Sequence, residues 1–148
     1  MTFRVPSFLK DQKARGIDSC VAVLEDERMS LSLDYGLYSG VSKYDHYIDF
    51  KQNEIVIDGK KGTIATYRDS TMDSEQSWVA RIFVRIVPRR NGWGSVALNM
   101  FIVVGDRGEL ATAEKVFRSI RFSKVPGPNL QKKGNPYEST ICNGERLC

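Results

Sequence analysis

The sequence predicts one small soluble α/β domain, α+β in organisation, built on an antiparallel sheet. Three observations carry that expectation. Several long runs alternate along the chain with the period of a half-buried strand. Asp58-Gly59 sits between two β-rich runs, where it supplies the positive φ angles of a tight hairpin turn. A single stripe of apolar residues at helical spacing follows Gly105. The 148 residues fit one domain, and an apolar share of 41% is too high for a disordered chain.

Taken in order, Phe3 to Val5 reads as a short first strand stopped by Pro6, and a polar connector with Gly16 follows. Cys20 to Leu24 and Met29 to Tyr35 pair across the charged turn Glu25 to Arg28. In the second run Met29, Leu31, Leu33 and Tyr35 alternate with Ser30, Ser32 and Asp34. Gly36 to Asp49 breaks the pattern and reads as a long aromatic loop with Tyr38, Tyr44 and Tyr47. Glu54 to Ile57 then turns through Asp58-Gly59 into Gly62 to Tyr67. After a polar loop come the two longest strands, Ser77 to Val87 and Gly94 to Val104. One face carries Trp78, Ala80, Ile82, Val84 and Ile86 against Val96, Leu98, Met100, Ile102 and Val104, so this pair is expected at the centre of the sheet.

The one helix starts with Asp106 and Glu109 in capping-box spacing and presents Leu110, Ala113, Val116, Phe117 and Ile120 as its apolar stripe. Ile120 to Phe122 reads as a short closing strand. Residues 1–123 are thus expected to form the domain. Residues 124–148, rich in Pro and Gly, read as an extended or disordered tail.

Composition excludes more than it selects. The net charge is +4, and Lys60-Lys61, Arg89-Arg90 and Lys132-Lys133 are isolated pairs, so no basic face marks a nucleic-acid binder. No apolar run approaches the ~20 residues of a membrane span. Met1-Thr2-Phe3-Arg4-Val5-Pro6 passes straight into strand-like sequence. We therefore expect that a leader has been removed ahead of it, which favours a periplasmic or extracellular location. Cys20 reads as a buried thiol. Cys142 and Cys148 bracket a short segment that a disulfide closes if the compartment is oxidising.

Catalytic signals are sparse. The one histidine, His46, lies between Asp45 and Asp49, with no Gly-x-Ser-x-Gly elbow to supply a nucleophile. Asp45, His46 and Asp49 lack a second ligand cluster. Asp69 to Asp73 lacks the glycine and distal glutamate of a calcium loop. Gly59-Lys60-Lys61-Gly62 is hairpin chemistry rather than a phosphate loop. No enzyme activity, metal or cofactor is expected. Two features remain as candidate binding surfaces. Arg81 and Arg85, with Asn99 on the next strand, share the sheet's second face with Val79, Phe83 and Phe101. That face reads either as a solvent side covered by loops and aliphatic stems, or as a binding surface of the Arg-plus-aromatic kind. The tyrosines Tyr35, Tyr38, Tyr44 and Tyr47 read either as a lid packed on the sheet or as a recognition patch.

The opening Phe3-x-Val5-Pro6, the run Ser30 to Gly36, the Asp58-Gly59-Lys60-Lys61 hairpin and the close Thr112 to Phe122 together resemble one family. It holds the photosystem subunit PsbP, the nuclear Ran-binding MOG-type proteins and many bacterial lipoproteins, and this chain looks most like its bacterial exported members. The resemblance spans about residues 3–122. It implies an α/β/α sandwich around a central antiparallel sheet and a role in protein binding. It transfers no site residue, because the quoted motifs mark fold alone. The leading expectation is a non-enzymatic exported domain that binds an unidentified protein partner. Two alternatives stand beside it: a small-ligand or weakly enzymatic cleft near His46, and an immunity-type protein that neutralises a toxin.

Overall fold

The structure is a computed structural model and describes residues 1–16, 19–36, 47–69, 77–87, 96–122 and 139–140. In chain order the strands are β1 (Thr2–Phe3), β2 (Lys10–Asp11), β3 (Ser19–Asp26), β4 (Met29–Gly36), β5 (Ile48–Ile57), β6 (Lys60–Arg68), β7 (Trp78–Val87) and β8 (Val96–Val104). Helix α1 (Leu110–Arg118) and β9 (Ser139–Thr140) follow. Seven of the strands form one antiparallel sheet in the order β2-β3-β4-β8-β7-β6-β5. β8 and β7 lie at its centre, where the two strongest alternating runs were expected.

The register shows why the core forms on one face. Leu31, Ile102, Ala80 and Thr66 stand opposite one another across four strands, and Leu33, Met100, Ile82 and Ile64 repeat the row. Every member of these rows points to the same side. Helix α1 closes that side, adding Ala113, Val116 and Phe117 to the cluster, with Ile120 just past its end. A 3-10 turn over Arg107–Glu109 precedes the helix, and the Asp106 carboxylate caps it by accepting the Gly108 N–H. Glu109 makes no reciprocal side-chain cap, so only half of the expected capping box is present.

The chain ends of the domain are tied to this helix. Thr2 and Arg121 exchange backbone hydrogen bonds of 3.0 and 2.9 Å, so the expected closing strand is a single bridge at Arg121. The Arg4 amide donates to the Ser119 hydroxyl at 2.8 Å. Further on, Ser139–Thr140 pairs with Thr2–Phe3. Among the described residues α1 is the one α-helix, lying on one face of the sheet.

The largest departure from expectation is β5, which starts at Ile48 rather than Glu54. Residues 48–54 are all exposed, and among the described residues this strand is the edge of the sheet. Alternation arises only when one face is buried, so Asp49-Phe50-Lys51-Gln52-Asn53 leaves no strand signal.

Candidate interaction surface

The second face of the sheet is not the open surface that Arg81, Arg85 and Asn99 suggested together. Arg81 is 2% exposed and Asn99 8%, and Val79, Phe83, Ala65, Tyr67 and Ala97 around them are buried too. Arg81 Nε donates to Asn99 Oδ1 at 2.7 Å, and the guanidinium carbon lies 4.5 Å from the centre of the Phe101 ring. Strand pairing dictates this contact, since Arg81 stands directly opposite Phe101, one row from Asn99. A buried cation costs free energy unless it is hydrogen-bonded, and this arrangement supplies an amide acceptor and an aromatic face. Arg81 and Asn99 are therefore interior groups. Arg85, four residues further along β7, is the member of the three that reaches solvent.

The expected tyrosine patch is also divided. Tyr35 is half-buried on the core side, where burial pushes its phenol above the ordinary value of 10.0. Tyr47 stacks on Tyr67 with centroids 4.0 Å apart. Tyr38 and Tyr44, like Asp45 and His46, lie outside the described residues. Among the described residues no three His, Cys, Asp or Glu side chains gather as a metal site. No helix among them is long and apolar enough to cross a membrane.

Cys20 is disulfide-bonded rather than a free thiol. The chain has only two other cysteines, Cys142 and Cys148, both outside the described residues. The bridge expected between them falls on residues outside the described ones.

What remains at the surface is an edge that the sequence did not single out. The two ends of the sheet are built differently. At one end β2 has two residues, and regular pairing stops near Lys13 at φ 55°, its amide held by the Asp11 carboxylate at 2.8 Å. At the other end β5 runs for ten residues with no strand beyond it among the described residues. It exposes Val56 at 62%, Ile48 at 45% and Phe50 at 37%. Long, exposed edges bearing apolar side chains are the usual template for an added strand.

β5 is tied back to the domain at both ends. Asp58 and Gly59 both have positive φ, 47° and 76°, closing the β5–β6 hairpin in two residues. The Asp58 carboxylate also accepts the Phe122 amide at 2.8 Å, tying the turn to the end of the helical segment. At the other end Asp49, at φ 56°, forms a bulge and pairs with Arg68 Nε at 2.8 Å. Arg68 and Arg107 lie over the Trp78 ring at 5.7 and 5.1 Å.

Beside the edge, on the second face, opens a groove of about 370 Å³. Phe83 and Thr63 form its floor, Val56 and Glu54 the wall towards β5, and Lys61 and Arg85 its rim. Neither Lys61 nor Arg85 has an ion-pair partner among the described residues. The groove thus offers apolar floor, two cations and one carboxylate beside a strand edge that no other strand pairs among the described residues.

The sequence held one signal for this site. In Ile55-Val56-Ile57 three β-branched residues follow one another, so at least one must point away from the core. The chain matches no family model, no curated protein and no solved structure.

Proposed function

We propose that this chain is a non-enzymatic protein-binding domain that engages its partner through the β5 edge and the adjoining groove. The observation that carries the reading is the contrast between the two sheet edges. One is cut to two residues, while the other is ten residues long and exposes Ile48, Phe50 and Val56 among its polar side chains. A stable protein hides or blunts an edge unless pairing there is useful. Arg85, from the face first considered for binding, contributes to the groove. The bonded state of Cys20 supports an oxidising compartment and hence an exported domain. Both the role and the location accord with the PsbP-like resemblance, and we extend the proposal to the α/β/α layering that it implies.

The test is in-cell crosslinking in the source organism with the wild-type chain and with Glu54→Pro. Ile57 pairs with Lys60 across a two-residue turn, which makes it a hydrogen-bonded pair. Glu54, an odd number of residues away, therefore turns its N–H outward. Proline there leaves the β5–β6 ladder intact and blocks an added strand. The expected result is a set of crosslinks to β5 that the variant loses while its melting temperature stays within a few degrees. Crosslinks that persist unchanged in Glu54→Pro overturn the assignment of the edge.

A further inference from the structure

We infer that the occupant of the β5 edge is β5 of a second copy of this chain, paired antiparallel about a two-fold axis at Asn53. This rests on the reading of β5 as the recognition edge and names its partner.

The backbone sets which registers are possible. With Ile57 and Lys60 a hydrogen-bonded pair, residues 57, 55, 53 and 51 direct their N–H and C=O groups to β6, and residues 56, 54 and 52 direct theirs outward. A two-fold axis perpendicular to the sheet reverses the strand but keeps its faces, so residues brought opposite must share a face. Gln52, Glu54 and Val56 lie on the second face, opposite Ala65, Thr63 and Lys61. Phe50 joins them, its ring 6.4 Å from that of Tyr67.

The side chains then choose one register. Phe50 and Val56 are the exposed apolar residues of this face, and Asn53 is midway between them. Centring the axis there sets each Phe50 opposite the other copy's Val56. The same register sets each Gln52 opposite a Glu54, an amide donor against a carboxylate, twice. On the core side Lys51 stands opposite Ile55. No like charges fall directly opposite, and polar groups meet complementary ones.

Closure follows from the symmetry. A two-fold contact uses the β5 edge of each copy once, so pairing through β5 stops at two copies. Strands of about seven residues bury less than the ~1,200 Å² of a standard interface, so the dimer is reversible and concentration-dependent.

The experiment is sedimentation velocity on the full chain from roughly 10 μM to 1 mM, a range that brackets a weak dimer. Wild type is expected to shift from monomer to dimer. Glu54→Pro and Val56→Lys are expected to raise the dimer dissociation constant about tenfold or more, with melting curves close to wild type. Register is read by mild oxidation of Asn53→Cys. Its backbone groups face β6, so the two copies of residue 53 form a non-hydrogen-bonded pair about 4.5 Å apart, within disulfide reach. Peptide mapping should recover a 53–53 link, and Lys51→Cys should give no 51–51 link.

A wild-type chain that stays monomeric throughout, or a dimer that survives both edge variants, overturns the inference. If that monomer still loses its cellular crosslinks in Glu54→Pro, protein binding stands and only the identity of the partner falls. If crosslinks to β5 are also missing, both fall.

Discussion

Asn99→Leu tests whether the second face of the sheet is interior structure. The substitution keeps the number of side-chain heavy atoms and the branching, and it removes one acceptor, Oδ1, from a guanidinium that is 2% exposed. A hydrogen bond to a buried charged group contributes about 1.5–3 kcal/mol. The Phe101 ring stays in place and retains the cation–π part, so the full ~3–5 kcal/mol of an abandoned buried charge does not apply. The expected loss is about 2 kcal/mol, or roughly 4–8 °C in melting temperature for a domain of this size. Urea denaturation followed by tryptophan fluorescence gives the midpoint and the slope, and the slope should not change. Arg81→Met and the double variant complete the cycle, with an expected coupling of at least about 1 kcal/mol. A cost for Asn99→Leu below about 0.5 kcal/mol, or one equally large beside Arg81→Met, would refute the argument that this bond satisfies the guanidinium. Because both groups are interior, the double variant should leave dimer affinity unchanged.

Three further outcomes follow from other parts of the molecule. In Gly62→Ala the new methyl would lie 2.5 Å from the Phe83 carbonyl oxygen, on the backbone of the next strand. Overpacking of this kind costs about 1–3 kcal/mol, measurable as a lowered urea midpoint. Thiol titration of the unfolded, non-reduced protein should find one reactive cysteine of the three, and all three after reduction. Cys20→Ser should lower stability by about 2–4 kcal/mol, with thermal melting as the readout. The Tyr35 phenol is raised by burial, so its neutral form favours the fold. That contribution is complete below the ordinary value of 10.0 and is lost as the pH rises from there through the raised value. Tyr35→Phe should flatten the decline of melting temperature above pH 10, whereas an unchanged decline would place the alkaline sensitivity elsewhere.

The fold was legible wherever burial was one-sided. Leu31 and Leu33 on β4, and Met100 and Ile102 on β8, alternate with less buried residues because one face meets α1 and the other does not. The Asp58-Gly59 turn was legible because φ values of 47° and 76° exclude most residues. Three things were not legible. The start of β5 carries no period, since residues 48–54 are exposed on both sides of the strand. The burial of Arg81 was hidden because its charge argues for solvent, and only the register that brings Asn99 and Phe101 to it shows otherwise. The bonded state of Cys20 was hidden because sequence distance says nothing about which sulfur atoms meet.

The charges on β5 admit two opposite explanations, and the register decides between them. Lys51 and Glu54 resemble the charges with which edge strands discourage pairing of any kind. If that were their whole role, apolar Phe50 and Val56 would not flank them on an open edge. Shifting the axis from Asn53 to Gln52 places Phe50 opposite Glu54, burying a carboxylate against a ring. Shifting it to Glu54 sets the two carboxylates directly against each other, which is repulsive. Only the Asn53 axis gives every charge a neutral partner and every exposed apolar residue of that face an apolar one. The same two charges therefore penalise the neighbouring registers and permit one. A strand protected against promiscuous addition and open to a single self-complementary partner is what this pattern of residues describes.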